Sequence, residues 1–209
     1  MTQPTLRTDR ILLVPLGDEH LEYEVELDSD PEVMRYLHGR ARTRVEVEVA
    51  HRQRLAEASL VPGLGYWAGF VDAASESREA GGGEATSGSD AGGEKSEFVG
   101  WWILTPPERP DQGPVEGQAE LGYRLLRRHW RRGLASEGAR ELIRYGFADL
   151  GLTRIFAETM AVNAASRATM AAVGLTYART FHLDWDDPLP GTELGEVEYA
   201  ITREQWALM

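Results

Sequence analysis

A short basic segment near the middle of the chain separates two sequence patterns: Arg128-His129-Trp130-Arg131-Arg132-Gly133-Leu134-Ala135-Ser136-Glu137. Residues 119–126, which precede this segment, alternate between apolar and polar side chains well enough to form a strand. After it, apolar and small residues recur at spacings of three and four, as an amphipathic helix requires. These residues are Leu134, Gly138, Leu142, Tyr145 and Ala148. The sequence therefore predicts a strand, a tight turn and a helix that continues to residue 150.

The basic turn has the features of an anion-binding site. The first N–H groups of a helix have no partner within the helix and carry a partial positive charge. Arg131 and Arg132 add two full positive charges just before the predicted helix. Such a junction suits a phosphate or a pyrophosphate. A plain connection whose arginines are only solvated would explain the same residues, so both interpretations stay open.

Length and composition limit the classes of protein to which the chain can belong. Its 209 residues, 42% hydrophobic and including six tryptophans, fit one globular domain over 1–209. The absence of cysteine excludes disulfides, thiolate metal sites and cysteine nucleophiles. A net charge of −12 disfavours nucleic acid as a partner, because phosphate binding needs a basic surface. Neither a membrane span nor a signal peptide is visible, and we expect a cytoplasmic protein.

Residues 72–97 differ in composition from the rest of the chain. They contain six glycines and seven acidic residues against one arginine and one lysine, and no aromatic or branched aliphatic residue. Such a segment buries too little apolar surface to offset the entropy lost on ordering. The composition predicts a disordered acidic loop, with an acidic lid or partner-binding tail as the functional alternative.

The remaining patterns predict an α/β (α+β) fold. Strands and helices follow one another through both local and crossover connections. We therefore expect a mixed, mostly antiparallel central sheet of about seven strands, flanked by four or five helices. The predicted strands are 10–16, 66–71, 98–104, 119–126, 154–160, 175–183 and 197–201. The predicted helices are 20–27, 45–60, 134–150 and 163–174, and residues 32–37 are predicted to form a short helical turn that Gly39 closes.

Four segments in a fixed order resemble the GNAT N-acyltransferases, and in particular the branch that acetylates N-terminal amines of ribosomal proteins. The family's pyrophosphate loop runs Gln/Arg-x-x-Gly-x-Gly/Ala, and Gly133 and Ala135 match it. Its first position is Trp130, as is common in this branch, whereas Arg131 replaces the usual glycine. The resemblance spans residues 6–206. The four segments are Leu121-Gly122-Tyr123-Arg124-Leu125, the turn 130–137, Asn163-Ala164-Ala165-Ser166 and Gly174-Leu175.

The resemblance implies acetyl-CoA or another acyl-CoA as co-substrate and a primary amine as acceptor, and it suggests a homodimer. The acceptor would be a protein N-terminus or a small-molecule amine. Tyr36 would border the acceptor cleft, with core packing as the equal alternative. The strand around Tyr123 and Leu125 would bind the pantetheine arm, with Asn163 nearby. The backbone amides expected to hold the pyrophosphate are those of Arg131, Arg132, Gly133, Leu134, Ala135 and Ser136.

The chemistry of amine acylation points to further residues. The attacking amine must be neutral, so a general base is needed, most of all for an amine of high pKa. Glu120 is the first candidate, with Glu158 and Asp184 as lesser ones; an ordinary strand glutamate is the alternative for Glu120. Ser166 is the candidate that protonates the leaving thiolate, unless it only caps a helix. The tyrosine that many family members use for this step is replaced by Met170.

Two other classes of protein compete with an acyl-CoA-dependent N-acyltransferase. One is a non-catalytic acyl-CoA-binding module or sensor with the same fold. The other is a nucleotide-binding protein, which the incomplete Gly-x-Gly-x-x-Gly pattern disfavours. No spacing of histidines or carboxylates indicates a metal site, so none is predicted.

Overall fold

The computed structural model describes residues 3–58, 60–72, 96–185 and 187–209, which form eight strands and five α-helices. Of the predicted loop 72–97, Asp72 ends one strand and Ser96 begins the next, while residues 73–95 lie outside the described residues. The strands are β1 Leu6–Arg7, β2 Ile11–Pro15, β3 Gly65–Asp72, β4 Ser96–Thr105, β5 Gln118–Leu125, β6 Arg154–Met160, β7 Thr176–Phe181 and β8 Glu196–Thr202. The helices are α1 Leu21–Asp28, α2 Arg44–Ala58, α3 Leu134–Ala148, α4 Ala164–Ala172 and α5 Arg203–Trp206.

One sheet contains all eight strands in the order β1-β2-β3-β4-β5-β6-β8-β7. Every neighbouring pair is antiparallel except β5 and β6, which are parallel and pair only over Gln118–Glu120 with Arg154–Phe156. Beyond Glu120 the two strands separate and leave a gap within the sheet. The predicted mixed, mostly antiparallel sheet is confirmed. The additional strand is β1, which is only two residues long and therefore too short for sequence periodicity to reveal.

Helices cover both faces of the sheet, and each face has its own apolar core. On one face, α3 and α4 pack over a core that includes Trp102, Leu142 and Ile155. On the other face, α1 and α2 pack over Leu27 and Trp101. Because successive side chains of a strand point to opposite faces, odd-numbered residues of β5 face α3 and even-numbered ones face α1.

The start of α3 is fixed by Trp102 of β4. The indole Nε1–H of Trp102 donates to the carbonyl oxygen of Ala135 at 3.2 Å. Gly138 lies directly over the same ring, and a Cβ there would come within 2.5 Å of the indole. The helix therefore approaches the sheet closely enough that its first turn has a fixed position beside the gap between β5 and β6.

The predicted helical turn over residues 32–37 forms as a series of turns that Gly39 closes, not as an α-helix, and the N–H of Met34 donates to the carbonyl oxygen of Asp30 at 3.1 Å. The carbonyl oxygen of Met34 accepts the N–H groups of residues 37, 38 and 39, so the chain closes on one acceptor rather than continuing as a helix. Gly39 has φ 68°, and its Cα faces the side chain of Leu189 in the connection between β7 and β8. The α1–α2 and β7–β8 connections thus meet over the sheet face that carries α1 and α2.

Candidate active site

The backbone of β5 points hydrogen-bonding groups into the gap between β5 and β6. The N–H of Leu126 donates to Val99 of β4 at 2.9 Å. Backbone groups of alternate residues point to opposite edges of a strand, so those of Tyr123 and Leu125 point away from β4 and into the gap. The carbonyl oxygen of Leu125 accepts the indole N–H of Trp130 at 2.8 Å. The gap therefore offers strand-like donors and acceptors to an extended ligand.

The basic turn adopts a conformation that aims its amides outward. Arg131 has φ 60° and Gly133 has φ 76°, both in the left-handed region. Gly133 is the N-cap of α3 and provides no side-chain oxygen, so the first N–H groups of the helix are open to a ligand. Among the described residues the exposed guanidinium of Arg131 has no ion-pair partner. Arg131 thus occupies the left-handed position that glycine usually fills in this branch.

A cleft of about 1000 Å³ lies beside this turn. Glu137, in the first turn of α3, accepts hydrogen bonds from the hydroxyl of Thr8 at 2.5 Å and from Nε of Arg10 at 2.7 Å. Arg10 also donates to the carbonyl oxygen of Arg132 at 3.0 Å, so the β1–β2 turn supports the basic turn. Burial would raise the pKa of Glu137, but these hydrogen bonds outweigh it and the pKa is lowered. The residues lining the cleft include Arg7, Arg10, Gly133, Ser136, Arg140 and Arg144.

Glu120 lies where β5 and β6 separate, on the face opposite Tyr123. It is partly buried, and its Oε2 accepts the Gln112 amide at 3.2 Å. Burial, followed by the negative charges of Glu158 and Glu108, raises the pKa of Glu120 to about 7. A carboxyl group with this pKa exchanges protons efficiently at neutral pH.

The two lesser candidates for the base have different environments. Glu158 accepts two hydrogen bonds from Arg109, at 2.9 and 2.7 Å, and a third from Gln112 at 3.1 Å. The carboxylate is therefore already engaged by a guanidinium in direct contact. Asp184 is exposed in the β7–β8 connection. Of these three residues, Glu120 is the one at the point where β5 and β6 separate.

The start of α4 closes the gap from the α3 side. Asn163 caps the helix: its Oδ1 accepts the Ser166 N–H at 3.2 Å, and its Nδ2 donates to the Thr159 hydroxyl at 3.0 Å. The Tyr123 hydroxyl donates to the Ser166 carbonyl at 3.2 Å and lies 3.5 Å from the Ser166 hydroxyl. Met170 is buried in the core. Two hydroxyl groups, those of Tyr123 and Ser166, therefore stand together where the family's tyrosine is missing.

Tyr36 lies in the α1–α2 connection and is half-buried. The guanidinium of Arg35 lies 5.3 Å from the centre of its ring. This places Tyr36 on the same side of the sheet as Glu120, in the segment that meets the β7–β8 connection.

Sequence reasoning missed a buried ionic network next to the site. Asp28 is fully buried and pairs with Arg124, whose guanidinium lies 4.7 Å from the ring of Trp101. Glu24, also buried, accepts hydrogen bonds from His51 and Arg54 at 2.5 Å. In sequence these charges look like the solvated faces of α1 and α2. Their spacing of three or four residues within each helix is the only signal of a shared inner face.

In the described part of the chain, no group of three or more His, Asp or Glu side chains is placed to hold a metal ion. None of the helices there is long and apolar enough to cross a membrane.

Comparisons with known proteins agree with this arrangement. Residues 10–176 match the acetyltransferase (GNAT) domain. The FsC-acetyl coenzyme A-N(2)-transacetylase of Aspergillus fumigatus is 43% identical over 99% of this chain and 80% of its own length. A GCN5-related N-acetyltransferase from Brucella melitensis has the same fold, with a TM-score of 0.70 at 17% identity over 99% of this chain and 82% of that one.

The fold of a ribosomal protein acetyltransferase is also similar. RimL, described as a ribosomal L7/L12 alpha-N-protein acetyltransferase in complex with coenzyme A, superposes with a TM-score of 0.66. It is 15% identical, and the match covers 93% of this chain and 95% of that one. The resemblance found in the sequence is thus confirmed by a family match and by a relative of high identity. The chain belongs to the GNAT family of acetyltransferases, enzymes that take their acetyl group from acetyl coenzyme A.

Proposed function

We propose that this enzyme transfers an acetyl group from acetyl-CoA to a primary amine of a small molecule, by direct attack in a ternary complex. The observation that carries the proposal is Glu120, a carboxyl group with a pKa of about 7 at the point where β5 and β6 separate. The name of the Aspergillus relative, an N(2)-transacetylase, supports a nitrogen acceptor.

The donor binds along the gap between β5 and β6. The amides of the basic turn, from Arg131 to Ser136, hold the pyrophosphate at the start of α3. The pantetheine arm pairs with the backbone of Tyr123 and Leu125, as an added strand would. The N–H of Leu125 then donates to the thioester carbonyl oxygen, where negative charge develops during attack. Asn163 supports this end of the gap by capping α4 beside the sulfur.

Glu120 accepts the proton of the incoming amine, directly or through one water. The neutral nitrogen attacks the carbonyl carbon of the thioester, and the carbon–sulfur bond breaks. The thiolate takes a proton from Ser166, whose hydroxyl lies 3.5 Å from that of Tyr123. The nitrogen gives up a further proton to water as the amide forms, and water returns one to Ser166, so that Ser166 ends the reaction as a neutral hydroxyl. A base with a pKa of about 7 suits an α-amine, whose own pKa is about 7.8, better than a lysine side chain at about 10.4.

The choice between an enzyme and a non-catalytic acyl-CoA-binding module can be tested at Glu120. We expect Glu120→Gln to lower kcat by about a hundredfold or more, the usual contribution of a general base, while the Kd for acetyl-CoA stays unchanged. Glu116→Gln, the same change at an exposed position, is the matched control. Tight binding of acetyl-CoA without transfer to any amine of a broad panel would favour the binding module.

The donor is identified by thermal shift before the amine panel is tested. A ligand present at a hundredfold excess over its Kd raises the free energy of unfolding by about 2.7 kcal/mol. We expect acetyl-CoA to stabilise the protein at least as well as succinyl-CoA. A larger effect from succinyl-CoA would redirect the proposal to another acyl donor.

A further inference from the structure

Three glutamates follow a diagonal line on the face of the sheet that carries α1 and α2. Glu120 of β5 is level with Phe156 of β6, and Glu158 stands two residues further along β6. Glu158 is level with Glu198 of β8 in the strand register, and Glu196 lies two residues further in the same direction. With strands about 4.8 Å apart and a rise of about 3.3 Å per residue, the Cα atoms of successive glutamates on this line are about 8 Å apart.

The arginines of this region do not neutralise all three glutamates. Arg109 pairs with Glu158 and with Asp111. Arg154 and Arg179 both pair with Glu198, and Arg179 also pairs with Asp111. Among the described residues, Glu120 and Glu196 are in no ion pair with a basic side chain. The two ends of the line therefore carry uncompensated negative charge when both are ionised.

Glu196 is buried without the partners that a buried carboxylate needs. Only 6% of the residue is exposed, and its Oε1 has no hydrogen-bond partner among the described residues. Burial, and then the charge of Glu158, raises the pKa of Glu196, while Arg109 lowers it. A buried polar atom that lacks a partner is costly to the folded protein, so native structures satisfy such atoms. A ligand that donates to Glu196 would remove this cost.

The surroundings of Glu196 suit a small ligand on the acceptor side. Glu196 shortly follows the β7–β8 connection, whose residues between Leu183 and Glu193 line an open cleft of about 540 Å³. The lining of this cleft includes Leu189, the residue that faces Gly39 in the α1–α2 connection. The line from Glu120 to Glu196 therefore runs beneath the two connections that meet over this face.

We propose that Glu196 binds a second cationic group of the acceptor, so that the substrate is an amine with another positively charged nitrogen. This inference rests on the proposed function, because it takes Glu120 as the end where the reacting nitrogen is deprotonated. Glu158 lies between the two ends, held in place by Arg109 and Gln112. The charged nitrogen donates to Oε1 of Glu196 and supplies the missing partner.

Two amides that differ only in the distal charge test this subsite. Alanyl-lysinamide and alanyl-norleucinamide both offer an α-amine, but only alanyl-lysinamide has a distal ammonium, which is charged at pH 8 because its pKa is about 10.4. The added alanine lengthens the chain between the two nitrogens so that they can reach both ends of the line. A hydrogen bond to a charged group predicts a kcat/KM for alanyl-lysinamide about ten to a hundredfold higher than for alanyl-norleucinamide. In Glu196→Gln this ratio falls towards one while kcat/KM for alanyl-norleucinamide changes little. Glu116→Gln keeps the wild-type ratio.

The outcomes separate this proposal from the proposed function. Equal kcat/KM for the two amides in the wild-type enzyme overturns the subsite and leaves the acetyltransferase proposal standing. A preference for alanyl-lysinamide that survives in Glu196→Gln also overturns it. If neither amide is acetylated, thermal-shift titrations of the coenzyme A complex decide: alanyl-lysinamide must stabilise the wild-type complex more than alanyl-norleucinamide does. Should Glu196→Gln fail to fold, the comparison of the two amides in the wild-type enzyme decides between the outcomes.

Discussion

At the scale of single residues, we expect the carboxyl group of Glu120, as the proposed base, to make the rate of transfer depend on pH near neutrality. A general base acts when ionised, so kcat/KM falls about tenfold per pH unit below the pKa of about 7. Burial raises this pKa first and the charge of Glu158 adds to it. Glu158→Gln removes that charge, so we expect the acid limb of the pH profile to move to lower pH.

The comparison uses one amine for both proteins, because titration of the acceptor then affects the two profiles equally. Glu116→Gln, an exposed change of equal charge, is expected to leave the limb in place. A limb that stays put or moves to higher pH in Glu158→Gln would show that Glu158 does not control the base.

The same carboxyl group is expected to weaken the folded protein at alkaline pH. The pKa of Glu120 rises on folding from its ordinary 4.5 to about 7, so the folded state binds more protons between these values. The stability that Glu120 contributes is therefore complete below pH 4.5 and is lost as the pH rises through about 7. At pH 8, Glu120→Gln should raise the free energy of unfolding by about 1 to 3 kcal/mol. Urea unfolding at pH 5 and pH 8 measures this, and an equal effect at both would contradict it.

Arg131 combines a charge that suits phosphate binding with a backbone conformation that suits glycine. Arg131→Gly and Arg131→Ala both remove the guanidinium, but only glycine relaxes the φ of 60°. We expect the glycine variant to be about 1 kcal/mol more stable than the alanine variant, the usual cost of a left-handed residue. Both should bind coenzyme A more weakly than wild type at low salt. Equal stability of the two variants would mean that Arg131 is not strained.

At the scale of elements, the contact between α3 and β4 positions the anion site. Gly138→Ala places a methyl group within 2.5 Å of the Trp102 indole. Overpacking of this kind costs about 1 to 3 kcal/mol. It should also lift the first turn of α3, so we expect weaker binding of coenzyme A in a calorimetric titration.

A second substitution provides the control for this contact. Trp102→Phe removes the five-membered ring that Gly138 touches, although it also loses the hydrogen bond to Ala135. In a double-mutant cycle the two changes should therefore cost less together than the sum of their separate effects. Additive costs would show that the helix and the indole are not coupled.

Helices and strands that are determined mainly by their own local sequence were predictable. The strand over Arg154–Met160 has the predicted bounds, and α3 begins at Leu134 as its spacing indicates. The segment 32–37 forms turns and not a helix because three N–H groups share the carbonyl oxygen of Met34, and its sequence pattern does not distinguish the two. The four-residue helix α5 is held by the Thr202 cap and by packing of Trp206 on Phe147, and is too short for periodicity to reveal.

The site was predictable only where a short motif describes it. The candidate residues of the basic turn, of β5 and of the α4 cap follow from local sequence. The environment of Glu120 does not, because it depends on Gln112, which a 3-10 turn at Pro110–Gln112 brings from outside the strand. Glu196 was missed for a related reason. The alternation of Glu196 and Glu198 along β8 was visible, but the pattern of a polar strand face does not distinguish burial from solvation.

At the scale of the whole molecule, the proposed mechanism assigns a different task to each face of the sheet. Donor groups gather at the start of α3 and α4, on the face of Tyr123, while Glu120 and its acidic neighbours lie on the face of α1 and α2. Within the described sheet, the gap between β5 and β6 is the only opening that joins the two faces. Every other pair of neighbouring strands is paired over a larger fraction of its length. An acyl group that reaches through this gap meets an amine that approaches from the other side.

This division predicts that residues 73–95 can be replaced by a short Asn-Gly turn without loss of activity. Asp72 and Ser96 are paired partners at the ends of β3 and β4, so a hairpin turn is long enough to join them. The replacement removes five acidic and two basic residues, which changes the net charge from −12 to −9. A shorter loop loses less entropy on closure, so the free energy of unfolding should rise by about 2 kcal/mol.

Kinetics with acetyl-CoA test whether those residues take part in the reaction. We expect kcat and the KM for acetyl-CoA to stay within about twofold of wild type, because the described donor and acceptor groups are all on other segments. A variant of full length, with the five acids of 73–95 changed to serine, separates charge from length. A loss of more than about tenfold in kcat/KM on replacement, reproduced by the serine variant, would assign the segment an electrostatic role as an acidic lid. A loss confined to the shortened chain would instead assign it a steric one.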